Sequence, residues 1–320
     1  MNNSKVLVIG DLILDRYLYG TCDRISPEAP VPIVNLENEK LLLGGASNVA
    51  NNLKALGVNV LLFGIIGDDN YGKEFQNILE SKNISNTLIS VKNRKTTVKT
   101  RIVSNAHQLL RLDSETSNNI NKDMEDLIIE KIIKLIPECS IVLISDYNKG
   151  FLTNKVLSEI ITFSKNNNVK VIVDPKTPPF SKYSGADIIK PNRNEALSET
   201  GLNIINFETF QLASKKIQEN TGIPVVIITL SEDGVGVAEN QTFIIFPTKA
   251  KEIHDVTGAG DTFVAALTFG LLMNETVQFS SELANYASSI VITKQGCEVV
   301  DASEIFNFIN KYKNNEFKHK

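Results

Sequence analysis

The chain has 320 residues, with 33 Lys and Arg against 37 Asp and Glu, for a net charge of −4. It is long enough to bury a large core as one α/β domain, which is the expected organisation. No basic block exists to bind a nucleic-acid backbone, and no apolar run approaches the roughly 20 residues of a membrane helix. The cysteines Cys22, Cys139 and Cys297 are far apart without CxxC spacing, which reads as free thiols in a reducing compartment. His107, His254 and His319 lack the spacing of metal ligands.

The N-terminus runs from Met1 straight into a strand-like segment with no signal-peptide pattern, so a cytoplasmic protein is expected. Val6 to Ile9 is continuously apolar, as in a parallel strand covered on both faces. Asp11 and Asp15 follow it, where open α/β sheets bind ligands, although turn or capping chemistry would also explain them. Three prolines between Arg24 and Pro32 forbid a central strand and predict an edge or an extended flap. Gly44 and Gly45 then lead into Asn48 and a helical pattern stopped by Gly57. That glycine pair is either a close approach to a ligand's hydroxyls or a tight strand-to-helix turn. Gly67 to Glu74 nearly matches a phosphate-binding P-loop, but Glu74 replaces the Ser or Thr that would hold magnesium, so that site is rejected. Lys73 to Lys82 reads as an amphipathic helix with Phe75, Ile78 and Leu79 inward.

From Asn86 to Asp113 three short β runs follow one another without helices, which predicts a small antiparallel insert. Lys99, Arg101 and Arg111 lie on these runs and form either a charged surface or a grip for a phosphorylated substrate. Strand, polar loop and helix then alternate through Ile141 to Ile144, Val169 to Asp174 and Ala186 to Lys190, the grammar of a doubly wound parallel sheet. Asn192 and Glu195 open a helix and offer either magnesium ligation or a capping box. A strand from Pro224 to Thr229 and a hairpin from Val235 to Phe246 precede the stretch Asp255 to Asp261. There, small residues at a helix start place backbone N–H groups and the positive dipole end beside a carboxylate. Phosphoryl transfer needs that pairing, though a helix cap with Asp261 favouring the dipole has the same pattern. Helices are predicted from Ala259 to Met273, Val277 to Thr293 and Ala302 to Tyr312, with a turn at Lys294 to Cys297.

Gly44-Gly45-x-x-Asn48, Asn192-x-x-Glu195 and Asp255 to Asp261, in that order and over nearly the whole length, resemble the ribokinase, or PfkB, family of carbohydrate kinases. Within it, Gly10 to Tyr17, Arg24 to Pro32, Gly44 to Ala50, Gln108 to Asp113, Ser145 to Gly150 and Asp174-Pro175-Lys176 are similar to the D-glycero-β-D-manno-heptose 7-phosphate kinases. The resemblance implies a ribokinase-like three-layer α/β/α domain with a mostly parallel sheet and a small β-sheet lid, its lid segments at about 14–40 and 86–113. It implies ATP-dependent phosphorylation of an anomeric C1 hydroxyl with Mg2+ and a monovalent cation as cofactors, and a homodimer joined through the lid. By resemblance Asp261 is the general base, and Gly258, Ala259, Gly260 and the Asp261 amide cradle the γ-phosphoryl group. Asp11, Asp15, Gly44, Gly45 and Asn48 belong to the sugar, with Lys99, Arg101 and Arg111 candidates for its phosphate and Lys176 beside the phosphates. Asn192, Thr229, Ser231, Gly234, Asn285 and Ser288 fall on the nucleotide side, and Glu195 with Asn192 on the magnesium shell. Some heptose kinases continue into a nucleotidyl-transferring domain; the end at Lys320 implies the kinase alone. Another sugar, sugar phosphate or nucleoside remains the alternative acceptor. A nicotinamide oxidoreductase is disfavoured because Gly258 to Phe263 lacks the third glycine of its fingerprint, and a catalytically silent sensor because Asp261 is present.

Overall fold

A computed structural model describes residues 4–105, 107–249, 255–294 and 298–316. In chain order, β1 (Lys5–Gly10) is followed by the long strands β2 (Leu12–Ile25) and β3 (Pro32–Gly45), then α1 (Ala46–Ala55), β4 (Asn59–Gly67), α2 (Asn70–Ser81) and β5 (Ser85–Val91). Next come β6 (Thr97–Ser104), β7 (His107–Ser114), α3 (Lys122–Leu135), β8 (Ile141–Ser145), α4 (Asn154–Asn166), β9 (Lys170–Asp174) and β10 (Ile188–Ile189). The remainder is α5 (Arg193–Thr200), α6 (Phe207–Thr221), β11 (Val225–Thr229), the hairpin β12 (Val235–Glu239) and β13 (Thr242–Phe246), α7 (Ala259–Leu272), α8 (Val277–Val291) and α9 (Ala302–Glu316).

The large sheet has nine strands in the order β13-β12-β11-β10-β9-β8-β1-β4-β5. From β11 to β5 neighbours pair in parallel, and β12 pairs antiparallel with both β11 and β13. Val6 to Ile9 of β1 are continuously apolar because this strand lies inside the sheet and both its faces are covered. Val6 and Val8 pack into one core with α1, α2, α7, α8 and α9, whereas Leu7 and Ile9 pack into a second core with α3, α4 and α6. The molecule is therefore the expected ribokinase-like three-layer arrangement. Helix α7 is apolar nearly all round, and eleven of its residues are buried, as befits a helix enclosed on every side.

The second sheet has the order β3-β2-β6-β7. Arg24 to Pro32 spans the tip of the β2–β3 hairpin, and β3 is an edge strand, where its leading proline removes no ladder bond. Three expectations change. Thr87 to Val91 lies in β5, which extends the large sheet beside β4 rather than joining the insert. The small sheet is not wholly antiparallel, because β2 and β6 come from separate excursions of the chain and pair in parallel. Helix α2 begins at Asn70, earlier than Lys73, because the Asp69 carboxylate accepts from Gly72 N and caps it. The Gly67 to Glu74 segment is thus a capped helix start. The turn expected at Lys294 to Cys297 lies, from Gln295 on, outside the described residues, as do Cys297, His254 and His319. None of the described helices is long and apolar enough to cross a membrane.

Candidate active site

The site forms at the C-terminal ends of the parallel strands, where Gly10, Ser145 and Asp174 end β1, β8 and β9. A single residue, Asp11, separates β1 from β2, and the chain returns along β3 to Gly45, which starts α1 with φ of 57°. A Cβ on Gly45 would lie 2.5 Å from the Asp11 carbonyl oxygen, so both the turn and the close approach require glycine. At Gly44 a Cβ would lie 2.2 Å from Asp15 Oδ2, so this glycine leaves room for the neighbouring carboxylate. Asn48, one turn into α1 and fully buried, donates from Nδ2 to Asp261 Oδ2 at 2.8 Å. Thr262 Oγ1 donates to Asn52 Oδ1 at 3.0 Å, a second tie between α1 and α7.

Helix α7 starts with Gly258 in the left-handed region at φ of 78°, with no side-chain cap. Thr257 N donates to Asp255 Oδ1 at 2.9 Å, which shapes the approach. Ala259 N turns back to Val256 O at 3.2 Å, so of the expected cradle this amide is occupied. The amides of Gly260 and Asp261 have no acceptor among the described residues, leaving two first-turn donors for an anion. Asp261 is buried, and burial raises its carboxyl to about 6 despite hydrogen bonds from Asn48 and Tyr147 and the nearby Lys190 ammonium. A carboxylate with that value accepts a proton near neutral pH, the range a general base needs.

Sequence reasoning missed Tyr147, which follows β8 and donates from its hydroxyl to Asp261 Oδ1 at 2.8 Å. Its position just past a strand's C-terminal end was the available signal. Asp11, expected at the sugar, instead lies behind this loop: its Oδ2 accepts from Tyr147 N at 2.8 Å and Lys149 N at 3.1 Å. Burial, then the nearby Asp146, lift Asp11 to about 6.

A cleft of about 180 Å³ is lined by Ile13, Asp15, Gly45, Lys99, Arg101, Tyr147, Thr257, Gly258 and Asp261. It brings together the acid, one cradle glycine and two of the three proposed lid cations. Arg101 makes an ion pair with Asp15, and its guanidinium sits 5.2 Å from the Tyr17 ring centroid. Burial and the neighbouring Lys149 lower the Lys99 ammonium. Arg111 is not in the cleft: it lies on β7, whose residues are all exposed, and pairs with Asp113 at 2.9 Å. Opposite Arg101 in the β6–β7 register, it faces solvent because no element covers that strand.

On the nucleotide side of the expectation, Asn192 and Glu195 form a complete capping box at the start of α5. Glu195 Oε2 accepts from Asn192 N at 2.8 Å, and its other oxygen accepts from Lys176 Nζ at 3.1 Å. Lys176 also lies 5.8 Å from the Tyr147 ring centroid. A bridge between Asn192 and Thr229 brings the Leu230 to Gly234 turn beside this box. Gly234, at φ of 95°, would place a Cβ 2.1 Å from the Phe246 carbonyl. Ser231 is exposed on that turn. Asn285 donates to Pro247 O at 2.9 Å and Ser288 to Ala259 O at 3.1 Å, so both side chains brace backbone around α7 and α8. Also absent from the sequence reading is the buried pair Lys190–Asp174, at 2.9 Å. Burial lifts Asp174 to about 7, while Lys190 opposes the shift. Among the described residues no group of three or more His, Cys, Asp or Glu side chains could hold a metal by itself. A single carboxylate beside a phosphate site suits magnesium, which is commonly held through one or two carboxylates, water and substrate phosphates.

The family model for pfkB family carbohydrate kinases matches residues 3–303. Among curated relatives, the bifunctional protein HldE of Sulfurimonas denitrificans is 41% identical over 303 residues, covering 94% of this chain and 63% of that protein. HldE of Aliarcobacter butzleri is 41% identical over 317 residues, covering 98% of this chain and 66% of that protein. The chain thus spans slightly less than two-thirds of these relatives. Among solved structures, Escherichia coli phosphofructokinase-2 in complex with potassium superposes with a TM-score of 0.80 at 18% identity, covering 96% of this chain and 97% of that one. Arabidopsis thaliana ribokinase complexed with ribose and ATP gives 0.76 at 18% identity, covering 96% and 99%. At such identities the structures speak to the fold.

Proposed function

We propose, from the premise that this chain belongs to the pfkB family of carbohydrate kinases, that it transfers the γ-phosphoryl group of ATP to the C1 hydroxyl of D-glycero-β-D-manno-heptose 7-phosphate. The product is the 1,7-bisphosphate. That the protein is a sugar kinase, a phosphotransferase acting on an alcohol group, follows from the family; the acceptor is the step beyond it. The observation that carries the mechanism is Asp261, held by Asn48 and Tyr147 at the mouth of α7 and opening on the cleft. The acceptor is supported by the heptose-kinase motifs along the chain, which is also similar over nearly its whole length to relatives bearing the name bifunctional protein HldE.

In this reading Asp261 removes the C1 hydroxyl proton as the oxygen attacks, and the Gly260 and Asp261 amides stabilise charge on the transferring oxygens. Asp15, Gly44, Gly45 and Asn48 border the sugar, and Lys99 and Arg101 meet its 7-phosphate. Glu195 and Asn192 would hold magnesium with the nucleotide, whose remaining contacts would fall to Thr229, Ser231 and Gly234. Magnesium bound there would supply neutralisation of phosphate charge. The reading places the enzyme in the cytoplasm, where ATP is available.

A second reading, an unphosphorylated sugar as acceptor, is favoured by one observation: Arg101 is already paired with Asp15. ADP release across heptose 7-phosphate, mannose 6-phosphate, fructose 6-phosphate, ribose and adenosine separates the two. A clear preference for heptose 7-phosphate is expected; a preference for ribose would replace the acceptor and leave the family intact.

A further inference from the structure

Both oxygens of Asp261 are held, but by different kinds of support. Asn48 donates from within α1, a regular element. Tyr147 donates from a loop, and that loop is tied down at every turn. Asp11 Oδ2 accepts the amides of Tyr147 and Lys149, and Asp146 Oδ1 accepts Asn148 N at 2.7 Å. Asp146 Oδ2 is in turn held by the Tyr183 hydroxyl at 2.5 Å and Lys182 Nζ at 3.1 Å. Arg94 clamps the far side by donating to the carbonyls of Lys149, Thr116 and Asn118. Three buried or half-buried charges, Asp11, Asp146 and Arg94, are thus committed to one short stretch whose side chain reaching the cleft is a phenol.

We propose that Tyr147 is a positioning residue for phosphoryl transfer: its hydroxyl fixes the Asp261 carboxylate towards the acceptor hydroxyl, and Asp11 holds Tyr147 in place. The inference rests on Asp261 being the general base. Burial and the facing Asp261 carboxylate keep the phenol pKa well above its ordinary value, so it remains an O–H donor at every working pH. A donor to a carboxylate stabilises its charged form and lowers its pKa. The other groups that face Asp261 are Asp15 from β2, which opposes ionisation, Lys190 beyond β10, which favours it, and Asp174 at the end of β9. Lys99 and Lys176 lie 5.9 and 5.8 Å from the Tyr147 ring centroid and are untouched when only the hydroxyl is removed.

Tyr147→Phe is the test, read in two ways. In full-length protein without substrate, carboxyl carbon NMR follows the titration of Asp261, with Asp261→Asn to assign its resonance. The midpoint is expected to rise by about one pH unit in Tyr147→Phe, as befits loss of a hydrogen bond to a charged group. In turnover, the acid limb of kcat/KM should move by the same amount, with kcat/KM at pH 6 reduced about fivefold and KM for ATP unchanged. Asp11→Ala, which loosens the loop but keeps the hydroxyl, should give a smaller rise and serves if the first variant does not fold. An unchanged Asp261 midpoint in the variants overturns the proposal. Turnover retained by Asp261→Asn would instead sink the general-base reading, and the titration separates the two failures.

Discussion

The base at the centre of the site is also a cost to the fold. Asp261 and Asp11 titrate at about 6 in the folded protein because burial disfavours their charged forms. A free Asp side chain titrates at about 3.9. Between about pH 4 and pH 6 the folded state therefore binds more protons than the unfolded chain, and these two groups make stability fall as pH rises through that window. Asp261→Asn removes one contribution, so its melting temperature should depend less on pH across this range than the wild type's; an unchanged slope in thermal scans would contradict the assignment. In the same variant turnover should fall by about 10²–10⁴, the usual contribution of a general base, while nucleotide affinity by calorimetry stays the same.

At the scale of elements, the β3–α1 junction and the start of α5 carry the most specific predictions. Gly45→Ala must adopt φ of 57° with its Cβ against the Asp11 carbonyl, which should destabilise the protein by about 1–3 kcal/mol in denaturant melts. Gly44→Ala instead pushes on Asp15, so acceptor KM should rise with little change in KM for ATP. Asn192→Ala removes a cap and should cost about 1 kcal/mol of stability. The sequence made this layer readable where the pattern was local. Buried strands such as β1 announce themselves by continuous apolar runs, and Gly44, Gly45 and Asn48 by their order before a helical pattern. Tyr147 and Lys190 were invisible as partners of Asp261 because their roles depend on how strands distant in sequence are ordered in the sheet. Likewise β5 reads as one more short β run, and only its position beside β4 assigns it to the large sheet. Asp11 shows the converse: it lies where open sheets bind ligands, but only the folded loop after β8 reveals that its Oδ2 accepts two backbone amides.

At the scale of the molecule, the second sheet presents Ile25 on β2, Leu36 on β3 and Leu110 and Leu112 on β7 to solvent, along with two open edges. Such surfaces invite pairing with another copy, which is the basis for proposing a homodimer through this sheet. Light scattering should give about twice the mass of one chain, and Leu110→Asp with Leu112→Asp should return it to one; a wild-type monomer would reject the proposal.

The junction at Asp11 bears on how such a sheet can move over the cleft. Asp11 N donates to Ser145 O at 3.2 Å, its carbonyl accepts Ala46 N at 3.1 Å, and its carboxylate holds two further amides. The roots of β2 and β3 are therefore clamped to the large sheet, and the hairpin projects from them as a cantilever. The β2–β3 register first shifts outboard of them, between Tyr19 and Gly20. Asp15 and Gly44 lie inboard of that point, so closure by flexing of the outer arm would leave the sugar-side groups where they already stand.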